Sequence, residues 1–336
     1  MSAPTLKVVI PMAGFGSRLR PLTWSRPKAL LTLADKSVLA HVLDMLQTLP
    51  NPDDIELIFI IGYLGDQFEP YMRTHYPHLR VHYVQQPEML GQSHAIYLAK
   101  EYLSGPMLMI FSDTLIESDL SFLAHESSDA VAWVKEVPDP RRFGIAVSDA
   151  SGRVTRLVEK PSSMDNKQAV VGFYYFKDSQ RLIAAIEEQM RRKMQLKGEY
   201  FLADAVNLML EDGMHMRTQP VNVWLDAGLP AAMLETNAYL LEHGHDNSAA
   251  ALRPSVTIVP PVYIAPDAEI HNAVIGPYAT IGAGCTLENV VVKNSIIEAN
   301  TTLRNLVITD SMAGERASIT GRVAQFVAAD NSTLEM

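Results

Sequence analysis

Beyond residue 248 the sequence repeats at a period that no helix can use. Apolar residues recur at Ile258, Ile264 and Ile270, again at Ile275, Ile281 and Leu287, and less strictly at Val292, Ile297, Leu303 and Ile308, in steps of six with fives interspersed. A helix of 3.6 residues per turn would carry such positions around every face. Short strands set three to a coil in a parallel β-helix would instead point each of them into the prism. The repeat predicts a β-helix over residues 249–336 and a separate domain over 1–248, divided after the polar run His243-Gly244-His245-Asp246-Asn247-Ser248. A length of 336 residues is more than one ordinary core needs and agrees with two domains.

The first 125 residues carry a different pattern. Apolar runs at 6–12, 56–61, 80–85 and 107–111 have the length of buried strands, and the stretches 38–48, 66–75 and 91–102 between them read as helices. In the first of these, Leu39, Val42, Leu43 and Leu46 share one face, with Ser37 placed to cap the N-terminus. Strand–helix–strand alternation implies a parallel sheet with helices on both faces. From residue 130 short turns take over, with a hairpin of 143–147 and 153–159 around a turn at 149–152.

Directly after the first strand comes Gly14-Phe15-Gly16-Ser17-Arg18, followed by Arg20-Pro21-Leu22-Thr23 and Pro27-Lys28. Glycines allow successive backbone N–H groups to face one concavity, and such a nest takes phosphate oxygens. Arg18 adds a planar fork of donors. Leu19 stands where a G-x-G-x-x-G loop needs its third glycine, and no G-x-x-x-x-G-K-[ST] loop occurs, so dinucleotide and P-loop readings weaken. The net charge is −10, yet Lys7, Arg18, Arg20, Arg26 and Lys28 precede the first acidic residue, Asp35. That balance argues against broad nucleic-acid binding while leaving room for a small anion in a local basic pocket. No apolar run approaches the roughly 18 residues that cross a bilayer. The N-terminus shows no leader pattern, and the one cysteine, Cys285, fits a reducing compartment, so a cytoplasmic protein is expected.

The stretch Pro11-Met-Ala-Gly-Phe-Gly-Ser-Arg-Leu-Arg-Pro-Leu-Thr-Trp-Ser-Arg-Pro-Lys28 resembles the signature of the sugar-1-phosphate nucleotidyltransferases. The resemblance continues in order through Gln86-Pro-Glu-Met-Leu-Gly91-Gln-Ser-His-Ala95, Phe111-Ser-Asp-Thr-Leu115, Val158-Glu-Lys-Pro161, Gly172, Gly198-Glu-Tyr200 with Asp204, and Trp224-Leu-Asp-Ala-Gly228. Together these span residues 6 to about 242, and the hexapeptide tail is an appendage of the family's longer members. The implied fold is a three-layer, Rossmann-like α/β nucleotidyltransferase domain followed by a left-handed parallel β-helix. The implied reaction joins a sugar-1-phosphate to the α-phosphorus of a nucleoside triphosphate and releases pyrophosphate.

By that resemblance Arg18 and Lys28 are the catalytic cations. Gly14, Gly16, Ser17, Arg18, Gln86 and Gly91 hold the nucleotide, and Gly144, Glu159, Lys160 and Gly172 hold the sugar phosphate. Asp113 and Asp226 bind Mg²⁺, a hard cation suited to carboxylate oxygens. Read by its chemistry, Gln86 offers an acceptor and two donors to a thymine or uracil edge, favouring dTTP or UTP, although an amide can also read adenine. Glucose-1-phosphate is the first sugar to test. Guanylyl transfer to mannose-1-phosphate is disfavoured, since guanine presents N–H donors. Two departures from the family pattern, Pro11-Met12 and Ser112 in place of smaller residues, keep a non-catalytic sugar-nucleotide-binding regulator as the alternative. His271 is the only histidine after His245 and gives little support to a second, acyl-transferring activity. The flats and edges of short coils predict a homo-oligomer formed through the β-helix.

Overall fold

The computed structural model of the chain describes residues 5–322. They fall into two compact units. One holds the chain up to Leu31 with Ser37–Ala232, the other Thr32–Lys36 with the chain from Met233 onward.

The elements begin with the strand Leu6–Pro11 (β1), the short strands Thr32–Leu33 (β2) and Lys36–Ser37 (β3), and the helix Val38–Met45 (α1). Ile55–Ile61 (β4), Phe68–His75 (α2), Arg80–Gln85 (β5), Gln92–Leu98 (α3) and Met107–Ile110 (β6) continue the alternation. Thr114–Ile116 (β7), Ala130–Glu136 (β8), Gly144–Ser148 (β9), Val154–Glu159 (β10) and Gln168–Phe176 (β11) follow. Ser179–Arg191 (α4), Leu202–Glu211 (α5), Met216–Pro220 (β12), Trp224–Asp226 (β13) and Pro230–Leu240 (α6) come next.

As the alternation implies, β1 lies parallel between β4 and β6, and β5 extends the sheet beyond β4. Val8, Val9, Ile10, Leu57, Ile58 and Met107 are fully buried, which is why the central residues of β1, β4 and β6 are apolar. Ser37 caps α1 by accepting from the Ala40 N–H at 3.1 Å. Past β6 the sheet becomes antiparallel: β11 pairs with β6, β8 and β9, and β9 with β10 in the expected hairpin. The full order is β10-β9-β11-β6-β1-β4-β5, with β8 and β12 branching from β11. The register of β11 on β8 shifts between Val170 and Tyr174, and Gly172 lies inside that shift. A separate two-stranded ladder sets Asp226 of β13 opposite Thr114 of β7.

The second unit contains Val256–Ile258 (β14), Val262–Ile264 (β15), Glu269–Ile275 (β16), Ala279–Ile281 (β17), Thr286–Lys293 (β18), Ile296–Ile297 (β19), Thr302–Thr309 (β20), Met312–Ala313 (β21) and Ser318–Thr320 (β22). They stack as two parallel ladders, β14-β16-β18-β20-β22 and β15-β17-β19-β21. The longer strands bend at Asn272, Asn289 and Asn305, whose φ angles of 49°, 54° and 52° put an asparagine in the left-handed region it tolerates. Their amides form a ladder: Asn272 donates to Asn289 at 3.3 Å, 17 residues away, and Asn289 to Asn305 at 3.0 Å, 16 residues away. Two further series of left-handed corners, Tyr278, Asn294 and Asp310, then Gly284, Asn300 and Arg316, give each coil three bends. The coils are therefore triangular, and the repeated Ile264, Ile270, Ile275, Ile281, Leu287, Val292, Ile297 and Leu303 fill the prism.

The compact units divide inside α6, between Ala232 and Met233. Asn237 of that helix is fully buried and bonds to the coil unit, accepting from Thr280 Oγ1 at 2.8 Å and donating to the Tyr278 carbonyl at 3.3 Å. The part of α6 from Met233 onward thus belongs to the same compact unit as the coils, whose first strand starts at Val256.

Candidate active site

Two pockets open in the first unit where β1 and β6 end at their carboxyl side, the usual ligand position of an open α/β sheet. The smaller, about 260 Å³, is lined by Pro11, Met12, Gly14, Gly16, Lys28 and Ser112 among others. The larger, about 560 Å³, is lined by Arg18, Arg142, Gly144, Glu159, Lys160, Gly172, Trp224 and Asp226 among others. Gln92, Phe111 and Asp113 line both, so the two spaces adjoin at Asp113.

The glycine loop turns through Gly16 in the left-handed region and enters a short 3₁₀ turn, Ser17–Leu19. The Gly16 carbonyl accepts from Thr23 Oγ1 at 2.8 Å, which ties the loop to the segment leading toward Lys28. Gly14 faces open space, with no atom within 4 Å of where a Cβ would stand. Lys28 Nζ meets Asp113 Oδ2 at 2.5 Å.

Asp113 and Asp226 converge although the sequence separates them widely. Both border Gly228: a Cβ there would lie 2.9 Å from Asp226 Oδ1, 3.2 Å from Asp113 Oδ2 and 3.6 Å from an Arg18 guanidinium nitrogen. The Ala227 N–H donates to the Asp113 carbonyl at 3.0 Å and the Gly228 N–H to Asp226 Oδ1 at 2.7 Å. Burial pushes the Asp113 carboxyl up, but the Lys28 charge and hydrogen bond, with help from Arg18, hold it below the usual range. Asp226 is pushed up by burial and by the Asp113 charge, against the Gly228 N–H, Lys28 and Arg18. Two hard oxygen donors that repel each other beside one backbone turn are the donor set a divalent cation such as Mg²⁺ fits.

In the larger pocket Glu159 stands beside Gly144, whose Cβ would come 3.2 Å from Glu159 Oε2. Burial raises the Glu159 carboxyl, Lys160 lowers it, and Asp204 and Glu199 add to the rise, which prevails. Lys160 Nζ sits 3.6 Å from Glu159 Oε1 and 5.2 Å from the centre of the Phe201 ring, with 54% of its side chain exposed. Gly172 has φ +81°, and a Cβ on it would fall 2.2 Å from the Phe111 ring. The glycine therefore permits the aromatic wall shared by both pockets.

Ser17, Gln86 and Gly91 line neither pocket. Gln86 is buried and points its amide at the Gly91 carbonyl, 3.4 Å away. Gly91, at φ +98°, would press a Cβ to 2.6 Å from the Tyr200 carbonyl oxygen, so close packing against Tyr200 already requires glycine there. Arg142, Gln92, Phe111 and Trp224 line the pockets without having been singled out from sequence. Gln92, Phe111 and Trp224 lay within motifs quoted for other residues. Arg142 carried no signal beyond preceding the hairpin.

Among the described residues no helix is long and apolar enough to cross a membrane. The chain matches the family model described as nucleotidyl transferase over residues 7–243. It is 30% identical over 342 residues to the low-salt glycan biosynthesis nucleotidyltransferase Agl11 of Haloferax volcanii, covering 94% of each chain. It is 28% identical to a glucose-1-phosphate thymidylyltransferase of Streptomyces griseus, covering 96% of this chain and 94% of that one. A UDP-glucose pyrophosphorylase structure from Acinetobacter baumanii shares the fold with a TM-score of 0.59 at 22% identity, over 72% of this chain and 95% of that one. With its glycine loop, paired aspartates and adjoining pockets, the chain belongs to the nucleotidyl transferase family, as one of the sugar-1-phosphate nucleotidyltransferases.

Proposed function

We propose that the protein makes an NDP-sugar from dTTP or UTP and glucose-1-phosphate, with Mg²⁺ as cofactor. The observation that carries this is the meeting of two pockets at Asp113, one lined by the glycine loop and Lys28, the other by Glu159 and Lys160. A triphosphate in the first and a sugar-1-phosphate in the second would put nucleophile and α-phosphorus side by side. The sugar phosphate has its second pKa near 6, so it attacks as a dianion and needs no general base. A sugar-phosphate oxygen bonds to the α-phosphorus as the bond to the bridging oxygen of pyrophosphate breaks, and the electron pair leaves with pyrophosphate.

The chain's own task is positioning and charge neutralisation. Gly14 and Gly16 offer backbone donors to phosphate oxygens, with Ser17 beside them in the loop. Arg18 and Lys28 neutralise the triphosphate, and Lys160 anchors the sugar phosphate. Glu159 accepts from sugar hydroxyls, with Gly144 and Gly172 keeping the floor open. Mg²⁺ held by Asp113 and Asp226 would neutralise charge on the phosphate oxygens. Gln86 and Gly91 lie on the segment that follows β5, where a pyrimidine edge would meet the Gln86 amide. We further propose cytoplasmic action and assembly of copies through the β-helix.

Pyrophosphate release across dTTP, UTP, GTP and ATP, each with glucose-1-phosphate and mannose-1-phosphate, tests the reading. The expected optimum is a pyrimidine triphosphate with glucose-1-phosphate. A guanine optimum overturns the base assignment, and silence across the panel overturns catalysis.

A further inference from the structure

The chain crosses between its two compact units in an unusual place. It leaves the first unit after Leu31, contributes Thr32–Lys36 to the β-helix unit, and returns at Ser37. Leu33 and Ala34 of this strap are fully buried, and Ala34 adopts φ +47°, a conformation that a non-glycine residue keeps only where its surroundings impose it. The surroundings are a set of hydrogen bonds inside the second unit. The Thr32 N–H and hydroxyl each donate to one oxygen of the Glu298 carboxylate at 2.7 Å, and the Ala34 N–H donates to Asn237 Oδ1 at 2.8 Å. Glu298 is 1% exposed. Its backbone is fixed between coils, with its N–H on the Ala313 carbonyl at 2.9 Å and its carbonyl accepting from Cys285 Sγ at 3.1 Å.

The strap begins where the turn carrying Lys28 ends. The Leu31 N–H donates to the Lys28 carbonyl at 3.1 Å, and the Leu31 carbonyl accepts from the Val38 N–H at 3.0 Å, closing the neck of the excursion. Three residues separate Lys28, whose ammonium holds Asp113, from Thr32, whose hydroxyl holds Glu298. A carboxylate buried this deeply would be costly to leave without donors, so it and Thr32 fix each other.

We propose that Glu298 and Thr32 are positioning residues for the nucleotidyl transfer. The β-helix, through Glu298, fixes the strap, and the strap fixes the backbone from which Lys28 reaches the triphosphate. The inference deepens the proposed function and rests on Lys28 acting on the triphosphate.

The test uses the full chain, dTTP as probe, and three readouts: dTTP affinity by titration calorimetry, kcat/KM by pyrophosphate release, and melting temperature. Glu298→Gln and Thr32→Val should each lower kcat/KM for dTTP by about tenfold, a loss in keeping with a sub-ångström shift of a charged group. The pair together should lose no more than either alone, and Thr32→Ser, which keeps the hydroxyl, should restore the wild-type value. In a Lys28→Ala background Glu298→Gln should no longer change dTTP affinity, although it still lowers the melting temperature. Wild-type affinity and kcat/KM in both single variants, with only the melting temperature reduced, would overturn the proposal, as would a full additional loss on top of Lys28→Ala. If Lys28→Ala itself binds and turns over dTTP like wild type, the role given to Lys28 fails first and the coupling fails with it.

Discussion

The Lys28 ammonium lies 2.5 Å from Asp113 Oδ2, with 20% and 21% of the two side chains exposed. Lys28 therefore neutralises the carboxylate that lines both pockets, and it leaves Asp226 with the repulsion. Asp113 and Asp226 would hold a divalent cation, which would supply positive charge to the phosphates beside that of Lys28. Asp113→Asn and Asp226→Asn are each expected to lower pyrophosphate release by at least about 10²-fold, the scale of a lost electrostatic group at a reacting centre. Asp226→Asn should melt no lower than wild type, because it relieves a like-charge contact. Chelation should stop turnover and added Mg²⁺ restore it. Full activity in either variant would remove the metal assignment.

Glu159 gives a pH dependence whose sign follows from its environment. Burial and the nearby Asp204 and Glu199 raise its carboxyl despite Lys160. A carboxyl with a raised folded pKa holds its proton more tightly when folded. Its contribution to stability is therefore greatest below the ordinary glutamate range and declines as pH rises through the folded pKa. Glu159→Gln removes that decline, so its melting temperature relative to wild type should improve as pH rises through and above the ordinary glutamate range. Binding runs the other way. The protonated acid is a poorer acceptor for sugar hydroxyls, so KM for the sugar phosphate should rise on the acid side in wild type. In Glu159→Gln the KM should be higher throughout and flat on that side. A parallel acid limb in both proteins would assign the titration elsewhere.

The sequence disclosed the parts whose chemistry is local. Continuous apolar runs announced β1, β4 and β6, and the six-step repeat announced the coils, because in both cases one residue's neighbours dictate its burial. Asp113 and Asp226 were legible only through motif resemblance. Nothing local brings them to Gly228, which depends on β13 pairing with β7. Arg142 and Trp224 were missed as pocket residues for the same reason, since a wall is made by tertiary placement. The strap at Thr32–Lys36 was invisible: its hydrogen-bond partners Asn237 and Glu298 lie some two hundred residues or more away, at separations of 203 and 266.

Two glycines should respond differently to the same substitution. Gly172→Ala puts a Cβ 2.2 Å from the Phe111 ring at φ +81°, so overpacking and backbone strain combine. A loss of about 2 kcal/mol or more is expected in denaturant unfolding, with turnover reduced because Phe111 walls both pockets. Gly14→Ala meets nothing within 4 Å. Its stability should stay within about 0.5 kcal/mol of wild type. The added methyl would project near the phosphate nest, so KM for the triphosphate should rise while the fold is unchanged. Equal stability losses in the two variants would refute this division between a packing glycine and a ligand-facing one.

The proposed assembly through the β-helix has a specific surface to test. On the face built from β16, β18 and β20, Val274 lies opposite Val291 and Val291 opposite Val307. Their neighbours on either side, among them Ala273, Ile275, Val290 and Val292, are buried in the prism, so alternation along each strand turns the three valines outward. Val307 pairs with Val291 on one side and is 75% exposed, an unusual setting for a β-branched apolar side chain in a strand. A second copy presenting the same stripe would bury it symmetrically, as a two-fold interface does. Val307→Lys sets a charge in the middle of that contact, where like charges from two copies would meet. It should lower the mass measured by light scattering with little effect on melting of the separated chain. Val291→Lys should act in the same direction, and a Val307→Asp protein mixed with Val307→Lys should regain mass. If all three variants keep the wild-type mass, the valine stripe is not the surface through which copies associate.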